Sequence, residues 1–446
     1  MSAIITDQLR ILNSENFVAG IASTTNSYYA WIGLPNPADF QSDWNENPPA
    51  PKDSFSEEND YWDTMIALKK LNSDDIARVV RKITWSSGTT YEMYRDDYSR
   101  SNLSPQTSST NLYDTNYYVM NRDFRVYICL QNGTNPENTS GRPSLDEPLF
   151  TDLEPRSAGA SGDGYVWKYL FTIDPNSIIK FDSTSFIPLP QNWSTSNDTA
   201  SVRNNASTSG QLKIVTITNR GVGYGTAATY NNVPIKGDGS GGRCSVVVNA
   251  AGKIDSVEIT NGGSNYTFGS VGLSDVGLTN PSGSTDAGFN VIIPPQDGHG
   301  ADIYRELGAN RVLIYSRLEN DTSNPDFITG NQFSRVGLCR DPLAFGSENK
   351  LTLQKASAVY ALKLTGAGST TTTFVADSEV TQEIGIGSTA VGRVINYDAN
   401  TGVLKYWQDR RLAISTDGTA PTYGFELFRF NADPAAGAGT TIFGGT

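Results

Sequence analysis

The segment Tyr165–Ile173 constrains the fold more than any other part of the sequence. Its aromatic and apolar side chains recur at every second position: Tyr165, Trp167, Tyr169, Phe171 and Ile173. This alternation predicts a β-strand with a continuous apolar ridge on one face. A ridge of that size needs a cover in water. We expect the core of a β-sandwich to cover it, with burial at a contact between subunits as the alternative.

A second strand is predicted over residues 124–131, because Phe124, Val126, Ile128 and Leu130 alternate with the residues between them. We expect this strand to have one face in a core. The 42 Gly and 21 Pro residues, with hydrophobic residues at 37%, predict many short strands joined by turns. A chain of 446 residues exceeds what one core usually serves. The predicted fold class is therefore mainly β and multidomain, of sandwich or barrel type, with a few short helices.

The charge balance argues against some partners. Lysine and arginine total 34 while aspartate and glutamate total 47, a formal net charge of −13. A negative surface repels phosphate backbones, so nucleic acid is not an expected partner. The first residues, MSAIITDQLRIL, lack the basic start and apolar run of a secretory signal, and no stretch of about 18 apolar residues occurs. We therefore expect synthesis and folding in the cytosol, without membrane insertion.

Two helices are predicted in the N-terminal part. The first covers Thr6–Ile21, where Thr6 can cap the first turn and Leu9, Leu12 and Phe17 fall near one face. The second runs from Glu57 to about Leu71, from the spacing of Tyr61, Met65 and Leu68.

Three loops are longer than most connections between strands. They cover Ser99–Asn111, Gln131–Gly164 and Gln191–Gly210, and are rich in Asn, Ser, Pro and Gly. Long loops of this kind are either contact regions or locally disordered. The hypothesis is that they become ordered on assembly with neighbouring subunits.

An internal repeat lies in the middle of the chain. Val215–Gly225 reads VTITNRGVGYG and Val257–Thr267 reads VEITNGGSNYT, so the offset is 42 residues. In both copies a strand ends in Asn and a Gly-bearing turn before a tyrosine, Tyr224 or Tyr266. The stretch from Gln211 to about Pro294 is interpreted as an inserted β-repeat module. We expect a role in scaffolding or surface decoration, with glycan binding as the alternative.

Four strands are predicted in the C-terminal part, as a small meander or barrel. They cover Arg311–Leu318, Ser357–Leu364, Ala390–Tyr397 and Val403–Trp407, with a turn at residues 398–402 between the last two. From Asn431 onwards Ala, Gly and Thr dominate, which is typical of an arm that is flexible or becomes ordered against a partner.

The residues that carry chemistry are few. His299 is the single histidine, and as a loop residue between glycines it is interpreted as part of a turn. Cys129, Cys244 and Cys339 are too far apart in sequence for a CxxC metal site and are interpreted as small buried hydrophobes. The sequence therefore predicts no catalytic residue, no cofactor and no metal site. Paired carboxylates of a glycosidase are harder to exclude; the densest acidic cluster, interpreted as helix capping, is Asp53, Glu57, Glu58, Asp60 and Asp63.

Four segments resemble one known family. Gly162–Ile173 reads GDGYVWKYLFTI and is followed by Asp174-Pro175 and by IPLP from Ile187. This is similar to the signature segment of the T-even-like baseplate wedge subunit of contractile phage tails, gene product eight. Tyr28–Pro37 (YYAWIGLPNP), Tyr61–Met65 (YWDTM) and Phe333–Phe345 (FSRVGLCRDPLAF) resemble other family segments in the same order, with Asp341 where the family often has Asn. The residues that carry the resemblance are Gly162, Asp163, Gly164, Tyr165, Trp167, Tyr169, Phe171, Trp31, Trp62 and Pro342.

The resemblance implies a structural subunit and brings no catalytic residues with it. It covers roughly residues 28–190 and 301–345. It implies a homodimer within each wedge that touches neighbouring wedge subunits, located in the virion tail baseplate, and that takes part in assembly and in the shape change on host contact. The expected domains are a body at 1–210, the inserted module at 211–297 and a C-terminal β region at 298–446. The alternatives are a glycan-binding tail-fibre or adhesin protein and a tail-associated glycosidase.

Overall fold

The structure is a computed structural model that describes residues 6–33, 65–197, 199–208, 211–317, 333, 335–343, 348–352, 360–365, 374–385, 388–407 and 442–444. Strands account for 37% of the described residues and helices for 14%, so the protein is mainly β, as predicted. The chain divides into two compact units. Unit 1 contains Met1–Val18 and Ile76–Ile314, and unit 2 contains Ala19–Asp75 and Tyr315–Thr446.

The four α-helices of the described ranges are short. They are α1 Asp7–Ala22, α2 Pro175–Phe181, α3 Ala200–Thr208 and α4 Ile303–Glu306. The predicted first helix is confirmed, and the Thr6 hydroxyl accepts a hydrogen bond from the Leu9 N–H at 3.3 Å. The predicted face is wrong, because Leu9 and Leu12 are exposed whereas Ile11 and Ser14 are buried. Helix α3 lies inside the predicted loop Gln191–Gly210.

The described part of unit 1 contains four antiparallel sheets. Their strands are β3 Ile76–Arg81, β4 Tyr118–Met120, β5 Arg125–Asn132, β6 Tyr165–Thr172, β7 Phe186–Pro188, β8 Val215–Arg220, β9 Ala228–Gly237, β10 Arg243–Val248, β11 Ile254–Asn261, β12 Gly269–Val271, β13 Ala287–Val291 and β14 Arg311–Ile314. The strand orders are β14-β3-β7, β4-β5-β6, β13-β8 and β11-β10-β9-β12. The last two sheets belong to the repeat module.

Unit 2 contains two antiparallel sheets in its described part. Their strands are β1 Tyr28–Gly33, β2 Met65–Lys70, β15 Arg335–Arg340, β16 Tyr360–Lys363, β17 Glu379–Gly385, β18 Ser388–Asp398, β19 Val403–Trp407 and β20 Ile442–Gly444. The orders are β15-β1-β2 and β16-β19-β18-β17-β20. The predicted strands at 390–397 and 403–407 are confirmed, and the described part of the one at 357–364 forms β16. The described part of the one at 311–318 forms β14 and pairs with β3 in unit 1.

Two predictions for segments of unit 2 need correction. The second predicted helix is wrong over its described part, because residues 65–70 form β2 and pair with β1; residues 57–64 lie outside the described ranges. Pairing with a neighbouring strand has outweighed the helical spacing. At the C-terminus, the predicted arm contributes β20, which pairs with β17 of the same chain.

The described residues of unit 1 form two hydrophobic clusters. The larger one surrounds β5 and β6 and includes Trp167, Val126 and Ile292. The second one lies wholly between Leu212 and Ile293, within the repeat module. The module therefore has a core of its own, while the division at 210 and 297 stays a prediction.

Candidate functional site

Strand β6 carries the family-like signature and lies in the larger cluster of unit 1. Trp167 is fully buried and stacks on Tyr165, with 5.3 Å between ring centroids. Tyr91 meets the Trp167 ring edge-on at 5.9 Å. The core of its own unit therefore buries most of the predicted apolar ridge, but Tyr169 is only half-buried. The ridge is also not continuous, because the register with β5 shifts between Tyr169 and Phe171. The other face is not solvated either, because Lys168 and Leu170 are fully buried.

Strand β5, the partner of β6, is also buried on both faces. Five successive residues, Val126 to Leu130, are buried, so the prediction of one face in a core was wrong. Cys129 faces Trp167 in the register of the two strands. Burial raises the pKa of the Cys129 thiol well above its usual value. This thiol therefore packs as a small hydrophobe.

The signature glycines and aspartate lie directly before β6, and both glycines have positive φ. Gly164 has φ +86°, and a Cβ there would lie 2.8 Å from the Cα of Gly133. Asp163 accepts hydrogen bonds from the N–H groups of Leu145 (2.9 Å) and Tyr165 (3.0 Å). Gly162 also has positive φ but has open space around it. The aspartate thus fastens the loop that precedes β6 to the start of the strand.

Tyr165 fastens the same loop through its hydroxyl group. The hydroxyl donates to the Arg142 carbonyl at 2.7 Å and accepts from the Tyr91 N–H at 2.8 Å. The loop Ser99–Asn111 is held in a similar way, because buried Glu92 accepts from the N–H of Gln106 at 2.7 Å. These bonds lie within one chain, so both loops have fixed contacts without a neighbouring subunit.

Two other residues of the resemblance lie in unit 2. Trp31 on β1 faces Gly337 on β15, where a Cβ would lie 2.4 Å from the indole ring. Pro342 accepts a hydrogen bond from the Leu351 N–H at 2.7 Å. The preceding Asp341 has φ +50°, a conformation that Asn and Asp tolerate better than most residues. Trp62 and the acidic cluster at 53–63 lie outside the described residues.

His299 belongs to a buried pair that sequence reasoning missed. Its Nδ1 lies 2.6 Å from Oε1 of Glu306, while Oε2 accepts from the Gly300 N–H at 2.7 Å. The Tyr94 ring meets the imidazole edge-on at 4.7 Å. Both residues are nearly inaccessible, at 3% and 2% exposure. The pair therefore ties the turn at His299 to α4, which carries Glu306, and it presents no face to a substrate.

Lys168 is the second missed residue. Its ammonium group donates to the Leu153 carbonyl at 2.7 Å and to Oδ1 of Asn205 at 2.9 Å. Burial, with nearby Lys213 as a second cause, lowers the pKa of Lys168 to about 8. The signal in the sequence was a lysine inside the run Val166–Phe171, which is otherwise aromatic or aliphatic.

In the described ranges, no three or more His, Cys, Asp or Glu residues are placed to hold a metal ion. Of the helices in those ranges, none combines the length and the apolar character needed to cross a bilayer.

No family model matches this chain, and no curated protein matches it either.

Proposed function

We propose that the chain is a structural subunit of the baseplate wedge of a contractile phage tail. Its role is in wedge and baseplate assembly and in the shape change on host attachment. The observation that carries the proposal is the segment Gly162–Ile173, which resembles the wedge-subunit signature. The side chains of this segment support packing and loop attachment, which is the use expected in a scaffold.

An exposed apolar surface supports contact with other subunits. Around β15 four apolar side chains are exposed: Phe333 by 55%, Val336 by 72%, Leu338 by 44% and Leu343 by 59%. Among the described strands, β15 pairs with β1 alone, so it forms an edge of its sheet. Exposed apolar groups on an edge strand favour pairing with another chain.

The mass of the purified protein in solution, measured by light scattering, tests this function. We expect a homodimer that enters a defined larger complex when the neighbouring wedge subunits are added. Val336→Asp places a charge on the exposed edge and is expected to prevent that complex. Ser256→Asp, at an exposed position of β11, is the matched control and leaves assembly unchanged. A monomer that ignores those subunits contradicts the proposal.

A second candidate function, glycan binding, rests on a cavity of about 580 Å³ at the second repeat turn. Its lining includes the polar residues Ser264, Asn265, Thr267, Gln296 and Asp297. Their hydroxyl, amide and carboxyl groups can hydrogen-bond the hydroxyls of a sugar. Binding to a glycan array that Gln296→Ala abolishes would favour this function.

The third candidate, a glycosidase, predicts activity on host wall material that Glu57→Gln or Glu58→Gln removes.

A further inference from the structure

In unit 1 the side chains of a lysine, an asparagine and a glutamate lie in contact, with the asparagine in the middle. This arrangement suits the transfer of an amide from one nitrogen to another. Lys168 on β6 is fully buried, and its Nζ lies 2.9 Å from Oδ1 of Asn205 on α3. On the other side of the same carboxamide, Nδ2 of Asn205 donates to Oε1 of Glu154 at 2.7 Å. The carboxamide therefore lies between an amine and a carboxylate.

We propose that Lys168 and Asn205 become joined by an intramolecular isopeptide bond, with Glu154 as the group that transfers the proton. Such a bond links β6 covalently to α3. The proposal does not depend on the function proposed above, because it rests on these three side chains alone.

The surroundings of Lys168 favour the neutral amine, which is the nucleophilic form. Burial removes water from the charged form and lowers the pKa of Lys168 to about 8, and the neighbouring Lys213 acts in the same direction. The two recorded acceptors, the Leu153 carbonyl and Asn205 Oδ1, match the two N–H groups that a neutral amine keeps. A substantial fraction of the amine is therefore neutral in mildly alkaline solution.

The reaction needs no oxidant, reductant or added reagent. The lone pair of Nζ attacks Cγ of Asn205, and the C–N bond to Nδ2 breaks. As the bond forms, the Glu154 carboxylate takes up the proton that Nζ loses and passes a proton to the departing Nδ2, to which it is hydrogen-bonded. The products are a secondary amide between Lys168 and Asn205 and one molecule of ammonia.

Glu154 has a second partner that fixes its position. Its Oε2 accepts from Nζ of Lys213 at 3.0 Å, and Lys213 itself is largely buried. One carboxylate oxygen thus faces the reacting amide while the other is held by a cation. Lys213 is also the nearest competitor of Lys168 as the attacking amine, so the test must identify which lysine is joined.

Mass spectrometry of the denatured full-length chain tests the proposal. The protein is first incubated at about pH 8, where about half of the Lys168 amine is neutral. We expect a mass lower than that of the sequence by one ammonia. We expect proteolysis to release a branched peptide that joins the Lys168 segment to the Asn205 segment. An unchanged mass, a branch at Lys213, or ammonia loss in an unbranched peptide would each overturn the proposal.

Variants separate the chemistry from folding. Asn205→Ala and Glu154→Gln change partly or largely exposed side chains, and we expect both proteins to keep the full mass of their sequences. Asn204→Ala, at the exposed neighbouring position on α3, is the matched control and is expected to lose ammonia as the natural sequence does. Ammonia loss and branching that persist in Glu154→Gln would remove Glu154 from the reaction, and persistence in Asn205→Ala would refute the link itself.

Discussion

Trp167 has no exposed surface, and its indole N–H has no hydrogen-bond acceptor among the described residues. The ring therefore contributes through packing against Tyr165 and Tyr91. We expect Trp167→Ala to lower the stability of the β4-β5-β6 sheet by about 3 to 5 kcal/mol, the range for a buried aromatic side chain. Hydrogen exchange of the β5 and β6 amides measures this loss.

Trp167→Phe is the control for that prediction. It keeps an aromatic ring and removes the N–H that has no acceptor, so the loss should be less than half as large. A loss below about 1 kcal/mol for Trp167→Ala would mean that the ring does not stabilise the core.

The two signature glycines before β6 provide a matched pair at the residue scale. Both have positive φ, which costs a residue with a Cβ about 1 to 2 kcal/mol. Gly162 has open space around it, whereas a Cβ at Gly164 would lie 2.8 Å from Gly133. Gly164→Ala should therefore destabilise the loop clearly more than Gly162→Ala. Limited proteolysis of residues 131–164 measures the difference, and equal cleavage rates would contradict the close approach.

At the scale of elements, the two repeat turns share one design. Asn219 and Asn261 each accept a hydrogen bond from the glycine N–H two residues later, at 2.9 and 3.0 Å. The tyrosine that follows is buried in both copies. The repeat in the sequence thus corresponds to a repeated turn geometry, which the Asn, Gly and Tyr spacing had indicated.

The tyrosine hydroxyls in the two copies make different numbers of bonds. The Tyr266 hydroxyl donates to the Ile235 carbonyl (2.9 Å) and accepts from the Gly242 N–H (3.0 Å). The recorded bond of the Tyr224 hydroxyl is the one that it accepts from the Ala287 N–H (2.8 Å). Tyr266→Phe leaves two buried backbone groups unpaired and should cost about 1 to 3 kcal/mol. Tyr224→Phe should cost less. Thermal unfolding of the two variants compares them, and the reverse order would contradict the bonding pattern.

Strands and helices were predicted correctly where the spacing of apolar residues fitted only one type of secondary structure. The alternation in β6 and the capped start of α1 located both correctly. The prediction failed for β2, because the spacing of Met65 and Leu68 also fits a helix and only the pairing with β1 decides. Helix α3 was missed since ASVRNNAST consists mostly of weak helix formers. Among its described side chains, Val202 and Ala206 are buried, and Asn205 bonds to Lys168 on β6.

The candidate site was predicted in part. The resemblance pointed to the residues of β6 and its turn, and those residues do form one connected structure. The pair His299–Glu306 and the contact Lys168–Asn205 join residues that are 7 and 37 positions apart. Neither pair is marked by a sequence motif. The contacts depend on how α3 and α4 pack, and the periodicity of apolar residues carries no information on packing between elements.

At the scale of the whole molecule, the repeat module enters and leaves the rest of unit 1 at adjacent positions. Val215 at the start of β8 faces Val291 at the end of β13. We expect that replacing residues 216–290 by a short Gly-Ser linker leaves the β4-β5-β6 sheet folded, because the module has its own hydrophobic cluster. Hydrogen exchange of β5 and β6 before and after deletion measures this. Lost protection of these strands would show that the body requires the module.

The division into units also sets an order for synthesis. Unit 2 is made of two stretches, Ala19–Asp75 and Tyr315–Thr446, and the whole of residues 76–314 lies between them. Strand β1 pairs with β15, which leaves the ribosome only after all of unit 1 has been translated. Unit 1 thus has time to fold on the ribosome. During that time the edge of β1 that pairs with β15 stays unpaired, because β15 has not yet been synthesised.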